Sequence, residues 1–332
     1  MTAQCEISLA AVRQNSFRMR HSVLSTLHRW RPRVTERTPL EIIRILAESG
    51  ITGLTCDSLA AAQEISLLTP SFFPLLLTQF PDSQDAASEV VELNRTGPVI
   101  VTIDHYRHAE LYSAAACRQQ MELSVLLLVD SGGQGPGVRP GHDTCRLGQA
   151  VDRLPGLRLS GLLTDDRHAM LISDPASQEE AIQNIEQVLR YSGQLLQKSG
   201  IQCPLICGGR SASVRRMVER SALTDVVAGS IIYGDNCEPM GNAIRVRTQV
   251  VSRPALVRAI VNGHFAMTEG FASSLRVVKP EGAVITSTDR HCAAMELSGD
   301  ALELQIGDTV EIAVQPREII PEIFQTARLI PE

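Results

Sequence analysis

Residues 99–129 read VIVTIDHYRHAELYSAAACRQQMELSVLLLV, and this stretch decides the fold. Val99–Ile103 is a short apolar run of the kind a buried strand needs. His105–Ala116 carries apolar residues at helical spacing, and Leu123–Val129 is a second apolar run. Strand, helix and strand within some thirty residues make one βαβ unit with a parallel pair. The same alternation extends outward in both directions, from about residue 27 to about residue 230. It predicts strands at Leu27–Val34, Gly53–Cys56, Pro74–Leu77, Val99–Ile103, Leu123–Val129, Leu157–Leu163, Cys203–Ile206 and Asp225–Ala228. Helical spacing recurs between them at Leu40–Glu48, Ser58–Ser66, Ser83–Leu93 and Ser177–Gln197. Asp174–Pro175 reads as an N-cap followed by a first-turn proline. Eight strands with crossover helices in about 200 residues favour a closed (β/α)8 barrel over an open sheet.

After Gly234 the pattern changes to short runs rich in Val, Ile and Thr, at Ile244–Val251, Ala255–Val261, Leu275–Val278, Ala283–Ser287, Ala294–Leu297 and Val310–Ala313. Gly and Pro punctuate them, so a compact β domain is expected after the barrel. Cys5–Leu9 is a further strand candidate for it. The expected division is a barrel over 11–234 and a β domain built from 1–10 and 235–332.

With 332 residues and 44% hydrophobic composition, the chain can bury a full core. Its net charge of −6 excludes a broad basic field, which argues against nucleic-acid or anionic-membrane partners. The one basic cluster, His28, Arg29, Arg31, Arg33 and Arg37, fits a solvated strand end or an anion pocket better than a nucleic-acid arm, since only Trp30 offers a ring for stacking. No signal-peptide pattern opens the chain, and Leu67–Phe80 is too short and proline-broken to span a bilayer. A cytoplasmic location is expected. The eight scattered cysteines read as reduced thiols, and Cys203 and Cys207, four apart, lack a second pair at zinc spacing.

A barrel places its chemistry at the C-terminal ends of its strands and often holds a phosphate in the loops after strands seven and eight. Here those loops are Cys207–Gly208–Gly209–Arg210–Ser211–Ala212–Ser213 and Gly229–Ser230. Small residues there let backbone N–H groups approach an anion. Gly208, Gly209, Arg210, Ser211, Gly229 and Ser230 are therefore the candidate cofactor-binding or anion-binding residues, and tight turning is their other reading.

The chain resembles the D-threonine aldolase and D-serine dehydratase family, relatives of alanine racemase with a pyridoxal-phosphate (PLP) barrel of the third fold type. The resemblance runs from Glu6–Asn15 through Arg31–Pro32, Glu41–Ile42, Asp104, Asp130 with Gly132, Gly137–Val138 and Gly161–Leu162. It continues through His168, Asp174–Pro175, Gly208–Gly209 and Gly229–Ser230. It implies a homodimer and a lysine that carries PLP as an imine, in a segment similar to Arg-Pro-His-x-Lys-Thr-His. This chain reads Arg31–Pro32–Arg33–Val34–Thr35–Glu36–Arg37, with Thr35 at the lysine position. Only two lysines exist, Lys198 and Lys279, at the end of a helix and in a β-domain turn.

Other positions depart as well. The loop Gly132–Gly137 lacks the family's arginine. Arg210 replaces a glycine, where it either adds a charge-assisted contact to a phosphate or blocks its approach. Asp165 stands where a tyrosine is usual, although His168 matches. The metal-ligand His and Cys near the C-terminus align with Glu318 and Ile320, ahead of Pro321, so no metal is expected. His168 is either an inherited pocket residue or a histidine satisfied by its neighbours. His105, Tyr106 and His108 fit a surface role, and His264 and His291 a structural or interface one. The leading expectation is a family member without PLP imine catalysis, binding PLP non-covalently at most, or another small anionic or phosphorylated ligand. An active PLP lyase or racemase on D-amino acids is a second reading. A third is a PLP-independent enzyme using Glu36, Asp165, His168 or Cys207 on a small anionic substrate.

Overall fold

The computed structural model describes residues 4–24, 28–68, 73–133, 135–172, 174–210, 213–219, 223–234, 241–263, 275–289, 291–314 and 327–331. They form two compact units. One comprises Arg20–Glu36 and Gly50–Gly229; the other comprises Met1–Met19, Arg37–Ser49 and Ser230–Glu332. The second unit thus takes in β1 (Gln4–Ser8), α1 (Leu9–Arg18) and, from between the barrel's first two strands, α2 (Leu40–Glu48).

The first unit is the barrel. Its first strand is divided into β2 (Arg29–Trp30) and β3 (Arg33–Val34), followed by β4 (Leu54–Cys56), β5 (Leu75–Leu77), β6 (Val99–Ile103), β7 (Leu123–Val129), β8 (Leu157–Thr164), β9 (Leu205–Gly208) and β10 (Asp225–Val226). The order is β3-β4-β5-β6-β7-β8-β9-β10-β2, parallel throughout. Because β2 and β3 are consecutive pieces of one strand, the ring of eight closes. The split falls at Arg31–Pro32. Proline has no N–H for the ladder, but the Pro32 carbonyl accepts from Thr55 N–H at 3.0 Å while Arg31 N–H donates to the Val226 carbonyl at 2.8 Å. The strand is therefore bonded along both edges.

Leu76, Ile100, Leu126, Leu128, Leu163, Leu205, Cys207 and Val227 form one buried apolar cluster within this unit, with Phe80 packed against it. At the start of the strands Asp225, fully buried, takes Arg31 Nε at 2.6 Å, Arg29 Nη2 at 2.8 Å and the Thr224 hydroxyl at 2.7 Å. The expected strand Cys203–Ile206 begins later, at Leu205, so Cys203 lies outside it and does not share a strand face with Cys207. In β8 the pairing jumps from Val125↔Leu159 to Leu126↔Gly161, a bulge that leaves Ser160 as the extra residue.

The crossover helices are α3 (Leu59–Leu68), α4 (Gln84–Thr96), α5 (Tyr106–Arg118), α6 (His142–Val151), α7 (Arg167–Met170), α8 (Pro175–Lys198) and α9 (Val214–Glu219). Asp174 caps α8, its carboxylate accepting from Ser177 N–H at 2.8 Å, with Pro175 in the first turn as its spacing suggests. Among the described residues no helix is long and apolar enough to cross a membrane.

The second unit is built on antiparallel strands β11 (Ile244–Ala255), β12 (Arg258–Asn262), β13 (Leu275–Lys279), β14 (Ala283–Thr288), β15 (Cys292–Leu297) and β16 (Thr309–Val314), in the order β13-β16-β11-β12-β15-β14. β1 pairs with β11, and β17 (Ala327–Ile330) adds a parallel edge to β1. The buried Asn15 of α1 donates to the Ile232 and Gly241 carbonyls at 2.9 and 2.7 Å and accepts from Gly241 N–H. It thereby ties that helix to the start of the β-rich segment.

Candidate functional site

The C-terminal ends of the barrel strands bring together side chains that are far apart in sequence. β3 delivers Arg33; the loops after β4 and β5 deliver Asp57, Thr78 and Phe80; β7 and its loop deliver Leu128 and Pro136; β8 ends in Leu163 and Thr164, and Asp165 follows it. They line a cavity of about 310 Å³ in which Arg33 forms an ion pair with Asp57, and Asp57 also accepts from the Thr78 hydroxyl at 2.9 Å.

A second cluster lies where β8 gives way to α7. The Arg210 guanidinium grips Asp165 with both forks, Nε to Oδ1 at 2.9 Å and Nη2 to Oδ2 at 3.2 Å. Such a bidentate pair is the strongest form of charged hydrogen bonding. Arg167 Nη2 stands 3.8 Å from the same carboxylate. Burial pushes the Asp165 carboxyl up, but Arg210, the Arg167 N–H and the nearby Arg33 outweigh it and hold the group below the ordinary aspartate value. Arg210 and Asp165, two separate departures from the family pattern, are therefore partners.

Depressed in the folded state, Asp165 contributes stability that is complete above the unfolded value of about 4 and is lost as pH falls through the lower folded value. Asp165→Asn is expected to be less stable than wild type at pH 7, and the gap should close on acidification below about pH 4. Urea midpoints measured across that range check it. A gap independent of pH would mean that the pair does not act through its charge.

Asp166 was not singled out by the sequence reading. It is fully buried and accepts from Arg210 N–H, at 3.2 and 3.0 Å to its two oxygens, and from the Ser213 hydroxyl. The N–H groups of Ser213 and Val214 turn back onto the Arg210 carbonyl at 3.0 and 2.8 Å. The loop after β9 thus spends its Arg210, Ser213 and Val214 donors internally, and α9 behind it is only six residues long. An acid one place beyond Asp165 was visible, but nothing in its spacing tied it to residues some 45 positions away or marked it as buried.

Gly208 ends β9, and Gly209 turns at φ +77°. A Cβ at Gly208 would sit 2.8 Å from Thr164 Cγ2, so glycine there accommodates the neighbouring strand. Ser211 lies outside the described residues, as do Glu318 and Ile320. Gly229 closes the barrel unit, and Ser230, buried, opens a short 3-10 turn, Ser230–Tyr233, in the other unit. Among the described residues no group of three or more His, Cys, Asp or Glu is arranged to hold a metal.

His168 lies in α7 against the loop after β7, with its ring 3.1 Å from where a Gly133 Cβ would be, and its buried Nδ1 has no hydrogen-bond partner among the described residues. Cys207 is 1% exposed, and burial pushes its thiol well up, which removes it as a ready nucleophile. Glu36 is exposed and accepts from the Ser58 hydroxyl. His105 caps α5 through Nδ1, and Tyr106 beside it is exposed. His108 is drawn further in, stacked on Phe80 at 4.7 Å between centroids and 3.1 Å from Asp104. His291 sits in the Asp289 turn of the β-rich unit, and His264 lies outside the described residues. Lys198 ends α8, exposed at the opposite end of the strands from the mouth; Lys279 ends β13 in the other unit, also exposed.

A closed (β/α)8 barrel with a separate antiparallel β unit, and loops of this kind at its mouth, is the PLP fold type III architecture. The chain belongs to the alanine racemase N-terminal domain family, whose profile matches residues 36–237. It is 23% identical over 250 residues to the D-threonine aldolase of an Arthrobacter species, covering 72% of this chain and 61% of that protein, less than two thirds of its length. Among solved structures it is similar to the D-threonine aldolase of Filomicrobium marinum, with TM-score 0.86 at 18% identity over 97% of this chain and 89% of that one. D-threo-3-hydroxyaspartate dehydratase from Delftia sp. HT23 aligns with TM-score 0.80 at 18% identity, over 99% of this chain and 94% of that one. Alanine racemase from Clostridium difficile 630 aligns with TM-score 0.71 at 14% identity, over the whole of this chain and 97% of that one.

Proposed function

We propose that this chain is a member of the D-threonine aldolase-like branch that does not perform PLP imine chemistry and instead binds a small anionic ligand at the barrel mouth. The observation that carries the reading is the absence of an amine: Thr35 stands at the lysine position, and the two lysines of the chain, Lys198 and Lys279, end α8 and β13. An imine requires a nitrogen nucleophile, which a hydroxyl does not provide. The residues of the phosphate loop do not fit a lysine-held PLP either, since the buried Asp166 carboxylate already takes the Arg210 N–H and the Ser213 hydroxyl. A carboxylate at that point repels a phosphate dianion as well as occupying its donors. Any PLP that binds does so without a covalent bond. Two of the four residues named for a PLP-independent enzyme are unsuited to it, because Asp165 is gripped by Arg210 and the Cys207 thiol is buried.

Purified protein mixed with PLP is expected to show no shifted imine absorption, and borohydride reduction followed by intact-mass measurement to show no pyridoxyl adduct. D-threonine aldolase and D-serine dehydratase assays should match a mock preparation. A stoichiometric adduct on a single lysine would end the proposal. The same reading takes the protein as a cytoplasmic homodimer, which light scattering of the purified protein and cell fractionation check.

A further inference from the structure

The β-rich unit carries a cleft of its own. Among the described residues β13 pairs only with β16 and β14 only with β15, so these two strands are the ends of the sheet path, and they are consecutive in the chain, joined through residues 280–282. A cavity of about 560 Å³ opens beside that junction, and Arg245, Arg276, Val278, Glu281 and Val284 are among the residues that line it. Strand register fixes how the two arginines stand. Arg245 of β11 and Arg276 of β13 are both directly opposite Ala313 of the intervening β16. Register partners project from the same face of a sheet. The two long side chains therefore rise from one face with their bases two strand spacings, about 10 Å, apart, and only the Ala313 methyl stands between them.

Neither guanidinium is spent. Arg276 is exposed and has no hydrogen bond or ion pair among the described residues. Arg245, its side chain 55% exposed, meets Glu311 only at 4.0 Å, while the other oxygen of that carboxylate takes Arg247 at 3.1 Å. Glu281, exposed as well, is the one acid in the lining and has no ion pair among the described residues. Two positive charges and one negative leave the cleft with a single positive charge to be answered. Val278 and Val284, 38% and 63% exposed, give the same cleft an apolar wall. Like charges on neighbouring rungs of a sheet repel, and an anion held between the two arginines relieves that repulsion.

We infer that this cleft binds a small organic monocarboxylate with a short branched chain, its carboxylate bridging the Arg245 and Arg276 guanidiniums and its chain lying against Val278 and Val284. The planar fork of a guanidinium matches a carboxylate, and two forks on exposed, rotatable stems close on one from either side. A single negative charge balances the lining, whereas a phosphate dianion brings a second one towards Glu281. The site lies wholly within the β-rich unit, shares no residue with the barrel mouth and goes beyond the proposed function.

Ligand-observed NMR titration of the full-length protein with isovalerate, acetate, isovaleramide and inorganic phosphate tests the assignment, run on wild type, on the double variant Arg245→Gln with Arg276→Gln, and on Arg328→Gln. Arg328 is an exposed control, since it stands opposite Glu6, which in turn stands opposite Arg245, yet it does not line the cleft. Urea midpoints near wild type establish that the variants are folded. Isovalerate binding that the double variant lacks belongs to the cleft; binding that it keeps belongs to the barrel mouth. Wild type is expected to show a cleft component that saturates below about 10 mM and is weakened about tenfold in the double variant, the scale for two exposed charged pairs, while Arg328→Gln retains it. Acetate, lacking the branched chain, isovaleramide, lacking the charge, and phosphate should each bind the cleft several-fold more weakly. The inference is overturned if the folded double variant binds isovalerate like wild type, if any of the other three ligands equals isovalerate at the cleft, or if Arg328→Gln loses as much as the double variant. A pyridoxyl adduct in the borohydride experiment would sink the proposed function and leave this assignment standing.

Discussion

Asp225→Ala is expected to lower the unfolding free energy by about 3–5 kcal/mol, the range for removing one partner of a buried ion pair. Asp225 has no exposed surface and holds Arg31 at 2.6 Å; without it the 6%-exposed Arg31 side chain stays charged and buried with no counter-ion. Gly53 and the Pro74 carbonyl hem the guanidinium in, and a Cβ at Gly53 would collide with Arg31 Nη1, so the arginine has no route to solvent across that wall. Arg29 shares the same carboxylate but is 43% exposed, and Arg29→Ala should therefore cost under about 1 kcal/mol. Chemical denaturation of the two variants side by side settles the point. Equal losses, or a loss below about 1 kcal/mol for Asp225→Ala, would show that the Arg31 charge is solvated in a way the burial does not suggest.

Gly161→Ala is expected to be at least as damaging, at about 3 kcal/mol or more, with most of the chain recovered insoluble. Gly161 sits at φ +151° on the bulge of β8, and a Cβ there would overlap the backbone carbonyl of Leu205 on the neighbouring strand. Backbone cannot yield as a flexible side-chain tip can. Gly200→Ala is the matched control, since Gly200 also has positive φ, at +84°, but nothing lies within 4 Å of its Cβ position. Its cost should be the conformational strain alone, about 1–2 kcal/mol. If the two variants have the same urea midpoint, the strand crossing at Gly161 is looser than the packing implies.

The barrel was legible because burial on both faces makes parallel strands continuous apolar runs, as at Val99–Ile103 and Leu123–Val129, whose bounds match their elements. Leu40–Glu48 matched as well, for it shows a clean amphipathic pattern. α6, α7, α9 and β17 were not anticipated. α7 and α9 are four and six residues long, too short to express a period. α6 begins on His142–Asp143–Thr144 with few apolar residues. β17 is a four-residue edge paired only with β1, and half-exposed edges carry little patterning.

At the mouth, the sequence pointed to Arg210, Asp165 and His168 as individuals but not to the Arg210–Asp165 grip or the Asp166 anchorage. Those contacts depend on how β8 and β9 lie side by side. The unpartnered His168 Nδ1 was equally invisible, because a hydrogen bond left unmade is a property of the packed chain.

The divided first strand has a consequence for how the protein must be made. Its Arg29–Trp30 piece pairs with Asp225–Val226, 196 residues further on, while Arg33–Val34 pairs with the next strand. A nascent chain leaving the ribosome can lay down β3 to β9 one after another, but until β10 emerges that growing sheet keeps two unpaired edges with open N–H and C=O groups. Unpaired edges are templates for association with other chains. Truncated translation products that stop before Asp225 should therefore be the aggregation-prone species of this protein, and their fate in the cell should depend on chaperones in a way that the completed chain's does not.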